Sequence, residues 1–346
     1  MLYLKYRPQT IEEIDNGEVR ESLKKILSND TFSHAWLLTG PKGTGKTSTA
    51  RIIAKAINCD NNTFSEKGKS SIEPCNKCKN CHSITSQTAI DVIEMDAASN
   101  RKIDDIRLLI DQVKFAPAYM QFKVYIIDEV HMLTTEAFNA LLKTLEEPPP
   151  HTIFILATTE LGKLPKTVVS RCLKLNFDKA KPKDVRRQIE RIIAGEKMSL
   201  DTEIIDFIAA NCDDSFRDAA KLLEEVIMQE INTLDKLKMH LGFSIDSNKL
   251  LAIIAHGKVK EALGVVEDYD KRGGNFAILI ASLLGQLKEA MLASHGLGKT
   301  TTSDLSTSEI SRLIRLFTEA YSNLKYSPID SLPIELAIVD YFLEKK

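Results

Sequence analysis

Along the first half of the chain, short apolar runs alternate with stretches whose apolar residues recur at helical spacing. Ala35-Trp36-Leu37-Leu38, Asp91-Val92-Ile93-Glu94-Met95, Val124-Tyr125-Ile126-Ile127, Ile153-Phe154-Ile155-Leu156 and Leu173-Lys174-Leu175 are each strand length, and each gives way to polar or small residues. Strands that alternate with helices predict a parallel sheet covered on both faces, with ligands beyond the carboxyl ends of the strands. After Asp178 the strand signal stops. Lys181-Pro182-Lys183-Asp184 opens a helix, and Ile204, Ile205, Ile208, Leu222, Leu223 and Val226 carry a helical period to Ile231. A further helical block begins near Phe243, broken by a Gly/Thr/Ser-rich loop from Gly296 to Ser308. The pattern predicts an α/β domain over 1–177, a small helical domain over 178–241 and an all-α domain over 242–346.

Composition narrows the class. Of 346 residues, 43% are apolar and 27% charged, the balance of a globular protein rather than a disordered one. Lys+Arg 46 against Asp+Glu 48 gives a net charge of −2, so contact with nucleic acid has to come from a local patch. No apolar run approaches the roughly 20 residues of a membrane-spanning helix. Met1-Leu2-Tyr3-Leu4-Lys5-Tyr6-Arg7-Pro8 lacks a signal-peptide core. A cytoplasmic location without membrane contact is expected, where disulfides rarely persist.

Gly40-Pro41-Lys42-Gly43-Thr44-Gly45-Lys46-Thr47 fits G-x-x-x-x-G-K-[ST], directly after one strand run and before a helical stretch from Ser48 to Ile57. In that context the loop amides wrap the phosphates of ATP and the helix N-terminus adds its positive end. Lys46 would reach the β/γ-phosphates, and Thr47 would ligate Mg²⁺. Gly298-Lys299-Thr300 repeats the core of the motif, but Ala293 stands where the first glycine belongs, so an ordinary loop is expected there. The Val124–Ile127 run ends in Asp128-Glu129. Beside a P-loop, Asp128 would hold Mg²⁺ and Glu129 would polarise the attacking water. His131 fits no metal-ligand spacing and reads as a packing or solvent histidine.

Cys75-x-x-Cys78-x-x-Cys81 offers three thiolates on one turn, and Cys59 is placed to supply a fourth. Four thiolates suit a structural Zn²⁺. An iron–sulfur cluster or free thiols are the alternatives, though the usual iron–sulfur run carries a further cysteine. Cys172 and Cys212 stand alone and are expected to be ordinary buried residues.

Taken together, Tyr6-Arg7-Pro8-Gln9-Thr10, the P-loop, the four cysteines, Asp96-Ala97-Ala98-Ser99 and Asp128-Glu129-Val130-His131 resemble a known family, as do Asn139 through Pro149, Ala157-Thr158-Thr159 and Ser170-Arg171-Cys172. It is the gamma/tau family of AAA+ ATPases, the motor subunits of bacterial DNA polymerase III clamp loaders. The match is dense over residues 1–177 and thins after about 240. One departure is Ile14-Asp15-Asn16-Gly17, where the family usually has a Val-Gly-Gln turn. Another is the long spacer from Cys59 to Cys75.

The resemblance implies an AAA+ domain with a four-cysteine zinc module at about 59–81, then a helical lid and a collar-type oligomerisation domain. It implies that Thr159 is the first sensor of the γ-phosphate, that Arg217 and Ser48 join the ATP site, and that Tyr6, Arg7 and Pro8 border adenine and phosphates. Arg171 would be an arginine finger acting in trans. Arg101, Lys102 and Arg107 would face DNA inside the ring, where contacts to phosphate give affinity without reading sequence. Implied partners are delta and delta-prime type subunits, copies of the chain, the sliding clamp (beta) and primer-template DNA. Delta-prime subunits share the zinc and Ser-Arg-Cys features but usually have a degraded P-loop, whereas Gly45-Lys46-Thr47 is intact here. A helicase-type ATPase is the other alternative, disfavoured by the lack of a second P-loop-like domain.

Overall fold

The computed structural model describes residues 1–28, 33–61, 72–100, 103–212, 214–241, 247–297 and 305–343. Arg101, Lys102, Gly298-Lys299-Thr300, Phe243 and most of the Cys59–Cys75 spacer lie outside the described residues. By compactness the chain divides into two units, Met1–Glu230 and Ile231–Lys346.

The first unit opens with α1 (Leu2–Lys5), α2 (Gly17–Leu27), β1 (Ala35–Thr39) and α3 (Lys46–Asn58). It continues with α4 (Lys79–Thr85), β2 (Val92–Asp96), α5 (Ile103–Val113), β3 (Lys123–Asp128), α6 (Thr135–Glu146) and β4 (Thr152–Thr158). Then come α7 (Lys166–Val169), β5 (Leu173–Asn176), α8 (Pro182–Glu196), α9 (Thr202–Ala210) and α10 (Phe216–Met228). The strands form one sheet in the order β2-β3-β4-β1-β5, and every pairing is parallel. All five apolar runs in the sequence are strands of it.

Alternation along each strand sorts the side chains onto two faces. Trp36, Leu38, Ile126 and Ile155 pack with Val19 and Leu23 of α2 and Ile53 and Ile57 of α3. Leu37, Tyr125, Ile127 and Leu156 pack with Ile106 and Leu109 of α5 and Phe138 and Leu141 of α6. With both faces covered, central β1 and β4 are buried at every position, which is why they read as unbroken apolar runs. Local chemistry sets the helix starts. Asn16 Oδ1 accepts from Val19 N at 3.1 Å to open α2. Thr134 and Ser215 cap α6 and α10, and Pro182 stands in the first turn of α8.

The second unit is helical among its described residues: α11 (Leu234–His240), α12 (Ser247–Ala255), α13 (Val259–Lys271), α14 (Phe276–Ser294), α15 (Thr307–Asn323) and α16 (Leu332–Leu343). Leu250, Val266, Tyr269, Leu283, Leu313, Phe317, Ile338 and Tyr341 meet in its core. α14 corrects one expectation. By length and composition its 19 residues could cross a membrane. Phe276, Ile280, Leu283 and Leu287 of the same helix are buried in this core.

Candidate nucleotide and metal sites

Beyond the carboxyl ends of β1 and β3, the first unit holds a cavity of about 330 Å³. Lys42 through Thr49 line one end, with Asp128 and Glu129. Tyr6, Arg7, Pro8, Asp15, Gln188 and Arg217 line the rest. The loop after β1 has its shape because two glycines let neighbours come close. A Cβ on Gly40, at φ 150°, would sit 2.1 Å from the Phe177 carbonyl oxygen. On Gly43, at φ 80°, it would sit 2.0 Å from Ser215 Oγ. The Gly43 contact seats the start of α10 on the loop. Arg217 therefore lies at the cavity, its guanidinium 4.9 Å from the Tyr3 ring centroid.

α3 begins at Lys46, after Gly45 in a left-handed conformation, so its unpaired first-turn N–H groups face the cavity end. Lys46 Nζ is buried and donates to the Gly40 and Pro41 carbonyls, both at 2.8 Å. Burial lowers its pKa, and the nearby Glu129 and Asp128 carboxylates oppose that shift. Burial also lowers the Arg7 pKa, with Arg51 acting in the same direction. This end of the cavity concentrates positive charge and N–H donors, the complement of a polyphosphate.

Thr47 Oγ1 donates to Asp128 Oδ2 at 2.6 Å. A hydroxyl and a carboxylate side by side are the hard-oxygen ligands Mg²⁺ takes when phosphates and water complete its octahedron. Glu129 follows at φ 47°, ψ 43°, a left-handed backbone uncommon outside glycine. Its Oε2 accepts from Thr159 Oγ1 at 3.0 Å. His131 is buried among these groups: Nδ1 lies 3.0 Å from Thr158 Oγ1 and 3.4 Å from Glu129 Oε2, and Nε2 lies 3.3 Å from Glu160 Oε1. The arrangement can hold a triphosphate with its metal and present one carboxylate to a water.

Arg171 does not line this cavity. Its Nη1 donates to the Thr167 carbonyl at 2.7 Å, and Nη2 pairs with Glu146. Arg107, on α5, is exposed and 3.5 Å from Asp104.

The Sγ atoms of Cys59, Cys75, Cys78 and Cys81 lie within 4.8 Å of one another. A tetrahedron with Zn–S bonds of about 2.3 Å has S···S edges of about 3.8 Å, so the four residues fit that ion. Backbone N–H groups point at the sulfurs, from Cys75 to Cys59 at 3.4 Å, from Cys78 to Cys75 at 3.3 Å and from Cys81 to Cys78 at 3.3 Å. Burial raises the Cys75 thiol, but the N–H groups of Lys77 and Cys78 together with hydrogen bonds from the Cys59 and Cys78 side chains bring it down to about 6. Burial pushes the Cys81 thiol up. Of the two lone cysteines, Cys212 is buried as expected, whereas Cys172 is only half-buried, just before edge strand β5.

Sequence reasoning missed the contribution of α8. Arg187 donates to the carbonyls of Glu12 and Ile14, at 2.8 and 3.3 Å. Arg191 donates to the Tyr6 carbonyl at 3.0 Å and to Asp15 Oδ2 at 2.8 Å. Residues some 180 positions apart thereby tie α8 to the N-terminal segment that borders the cavity. It also missed Lys55, which is 1% exposed. Lys55 Nζ donates to Gln9 O at 2.7 Å, Gln9 Oε1 at 2.7 Å and Asn76 Oδ1 at 2.8 Å. Burial lowers its pKa to about 8, with Cys81 opposing.

Residues 16–181 match the family model described as DNA polymerase III, delta subunit. The chain is 40% identical over 296 residues to the DNA polymerase III subunit tau of Bacillus subtilis, covering 84% of this chain and 51% of that protein. It is 41% identical over 236 residues to the subunit gamma of Buchnera aphidicola subsp. Schizaphis graminum, covering 68% and 63%. The chain thus spans about half to two thirds of the length of these relatives. Among solved structures, the RuvB Holliday junction branch migration motor of Thermotoga maritima shares the fold, with a TM-score of 0.50 at 20% identity over 72% of this chain and 79% of that one. Over the length it shares with its relatives, the chain belongs with the bacterial DNA polymerase III gamma/tau subunits.

Proposed function

We propose that this chain is an ATP-hydrolysing motor subunit of a replicative clamp loader, opening the sliding clamp and loading it onto primer-template DNA. One observation carries the enzymatic part: the Thr47–Asp128 pair at 2.6 Å stands next to a Glu129 held by Thr159, at the mouth of a P-loop. The relationship to the gamma/tau subunits supports the replicative setting.

In this reading the Gly43–Ser48 amides and the start of α3 cradle the phosphates. Lys46 exchanges its carbonyl partners for β/γ-phosphate oxygens. Mg²⁺ bound by Thr47 and Asp128 supplies charge screening to the phosphate oxygens. Glu129 orients the attacking water and takes its proton, while Thr159 keeps that carboxylate aimed and senses the γ-phosphate. Tyr6, Arg7 and Pro8 border the nucleoside, and Arg217 brings the lid to the same ligand. Arg171, outside its own chain's cavity, completes the site of a neighbouring subunit. The four cysteines hold a structural Zn²⁺. Residues 178–241 serve as the lid and 242–346 as the collar through which copies of the chain and delta and delta-prime type subunits assemble. Arg107, with Arg101 and Lys102, tracks DNA phosphates.

ATPase assays test this directly. Turnover should be low for the chain alone and rise on adding delta and delta-prime type subunits, then again with clamp and primed DNA. Turnover indifferent to those additions would sink the clamp-loader reading.

A further inference from the structure

α8 reaches the cavity through Gln188, which carries an unused hydrogen-bonding group. Gln188 lines the cavity and is 6% exposed, and its Oε1 is enclosed without a partner. Arg191 is three residues on, so both lie on one face of the helix. Arg191 holds Asp15 through Oδ2, and Asp15 Oδ1 is a second enclosed oxygen without a partner, on a residue that lines the cavity with Gln188. Asp15 is itself 4% exposed. A third polar side chain lining the cavity, Asn16, already spends its oxygen on the α2 N-terminus.

Buried polar groups are nearly always paired, and an unpaired one is costly, so spare capacity in a ligand cavity points to the ligand. The phosphates are accounted for at the other end by the α3 N-terminus and Lys46. What remains beside Tyr6, Pro8 and Ile14 is space for a flat ring and a polar edge. The spare groups are acceptors, together with the Gln188 amide nitrogen. Adenine presents their complement, an exocyclic amine next to a ring nitrogen, and glutamine pairs with that edge through both amide atoms. Guanine would bring a carbonyl oxygen toward two acceptors.

We propose that Gln188 is the base-reading residue of this site: its amide oxygen accepts from the adenine amine and its nitrogen donates to the adjacent ring nitrogen. The soft terminal torsion of glutamine turns the oxygen into the cavity. Asp15, fixed by Arg191, adds negative potential that favours an amine over a carbonyl. The inference rests on the ATPase reading above and names the residue that selects the nucleotide.

The test is equilibrium binding of ATP, GTP and the triphosphate of purine riboside, which lacks the amine, with inorganic tripolyphosphate as a probe of the phosphate end. Wild-type protein should prefer ATP to the amine-free analogue by about tenfold, the weight of lost buried hydrogen bonds. Gln188→Met, close in length and flexibility, should bring that ratio to within about twofold and leave tripolyphosphate affinity unchanged. A retained preference in the folded variant overturns the assignment, as does a wild-type ratio near one, which needs no variant at all. Binding of tripolyphosphate with no base preference would leave the nucleotide reading standing and remove Gln188 alone. Failure of the wild-type protein to bind either ATP or tripolyphosphate would overturn both.

Discussion

Thr159, the residue after β4, donates its hydroxyl to the carboxylate of Glu129, the residue after β3, at 3.0 Å. Two adjacent strands thus fix one side chain from two directions, and Glu129 holds a left-handed backbone to meet that bond. Glu129→Gln should keep ATP affinity within about twofold and lower turnover by roughly 10² or more, since an amide cannot take the proton from water. Thr159→Val should show a smaller loss of turnover with affinity intact. Single-turnover hydrolysis and nucleotide binding, measured together, decide it.

Lys46→Ala removes the buried ammonium that the loop carbonyls of Gly40 and Pro41 now hold. ATP affinity should fall at least about tenfold, a loss expected for a charge-assisted bond to phosphate. Calorimetric titration with ATP reads it, and unchanged affinity would place the phosphates elsewhere.

Arg171 is tied to Glu146 and Thr167 and lies outside its own chain's cavity. Arg171→Ala should therefore bind ATP normally and lose the stimulation that comes with assembly, a factor of roughly 10³ or more where such an arginine acts. Mixing Arg171→Ala with Lys46→Ala should restore part of the activity, because some interfaces then join an intact P-loop to an intact arginine. A mixture that assembles but stays inactive would reduce Arg171 to a structural role.

Protein purified without chelator should carry one Zn²⁺ per chain by elemental analysis. Stripping it should lower the melting temperature of the first unit, on the order of 5 °C, because four buried or half-buried thiols lose their shared ligand. Iron and sulfide in place of zinc would favour the alternative chemistry.

Burial raises the Asp15 carboxyl from its usual 3.8 to about 6, against the pull of Arg191. Between those values the folded chain keeps a proton that the unfolded chain has released. Stability contributed by this group is therefore present at the acid end and is lost as pH rises through the window, by roughly 3 kcal/mol in all. Denaturant midpoints measured near pH 4 and near pH 7 should drop more for the wild type than for Asp15→Asn. An equal drop would show that Asp15 does not titrate there.

How much of this was legible in the sequence depended on contiguity. The five strands were readable because a sheet buried on both faces demands unbroken apolar runs such as Trp36–Leu38 and Ile153–Leu156. The loop from Gly40 to Thr47 and the Asp128-Glu129 pair were readable because each is a short stretch whose spacing carries its chemistry. The contribution of α8 was not. Arg187, Gln188 and Arg191 sit in a helix rich in charged residues, and such a pattern reads as solvated until Tyr6, Glu12 and Asp15 arrive from the far end of the chain. Lys55 was hidden for a similar reason, since a lysine on an amphipathic helix gives no sign that three acceptors will bury it. The helical character of this block was visible, but counting unbroken apolar runs missed that the 19 residues of α14 are long and apolar enough to cross a bilayer, because single polar residues such as Ser282, Gln286 and Lys288 interrupt the run.

The position of Lys55 also bears on modularity. The cysteine turn looks like an appendage that could be cut out at Cys59 and Thr85 and the ends rejoined. Yet Asn76, inside that turn, is one of the acceptors that satisfy the Lys55 ammonium, and Thr85 lies 3.5 Å from the same nitrogen. Excising residues 59–85 would leave a cation at the end of the P-loop helix with Gln9 alone to solvate it. The segment is thus tied to the core through Lys55, and also through Glu73, whose carboxylate accepts from the Ile11 and Glu12 N–H groups at 2.8 and 3.0 Å. Deleting it or exchanging it for a shorter loop strands Lys55 together with the Ile11 and Glu12 N–H groups, so replacing the lysine alone does not make the segment separable.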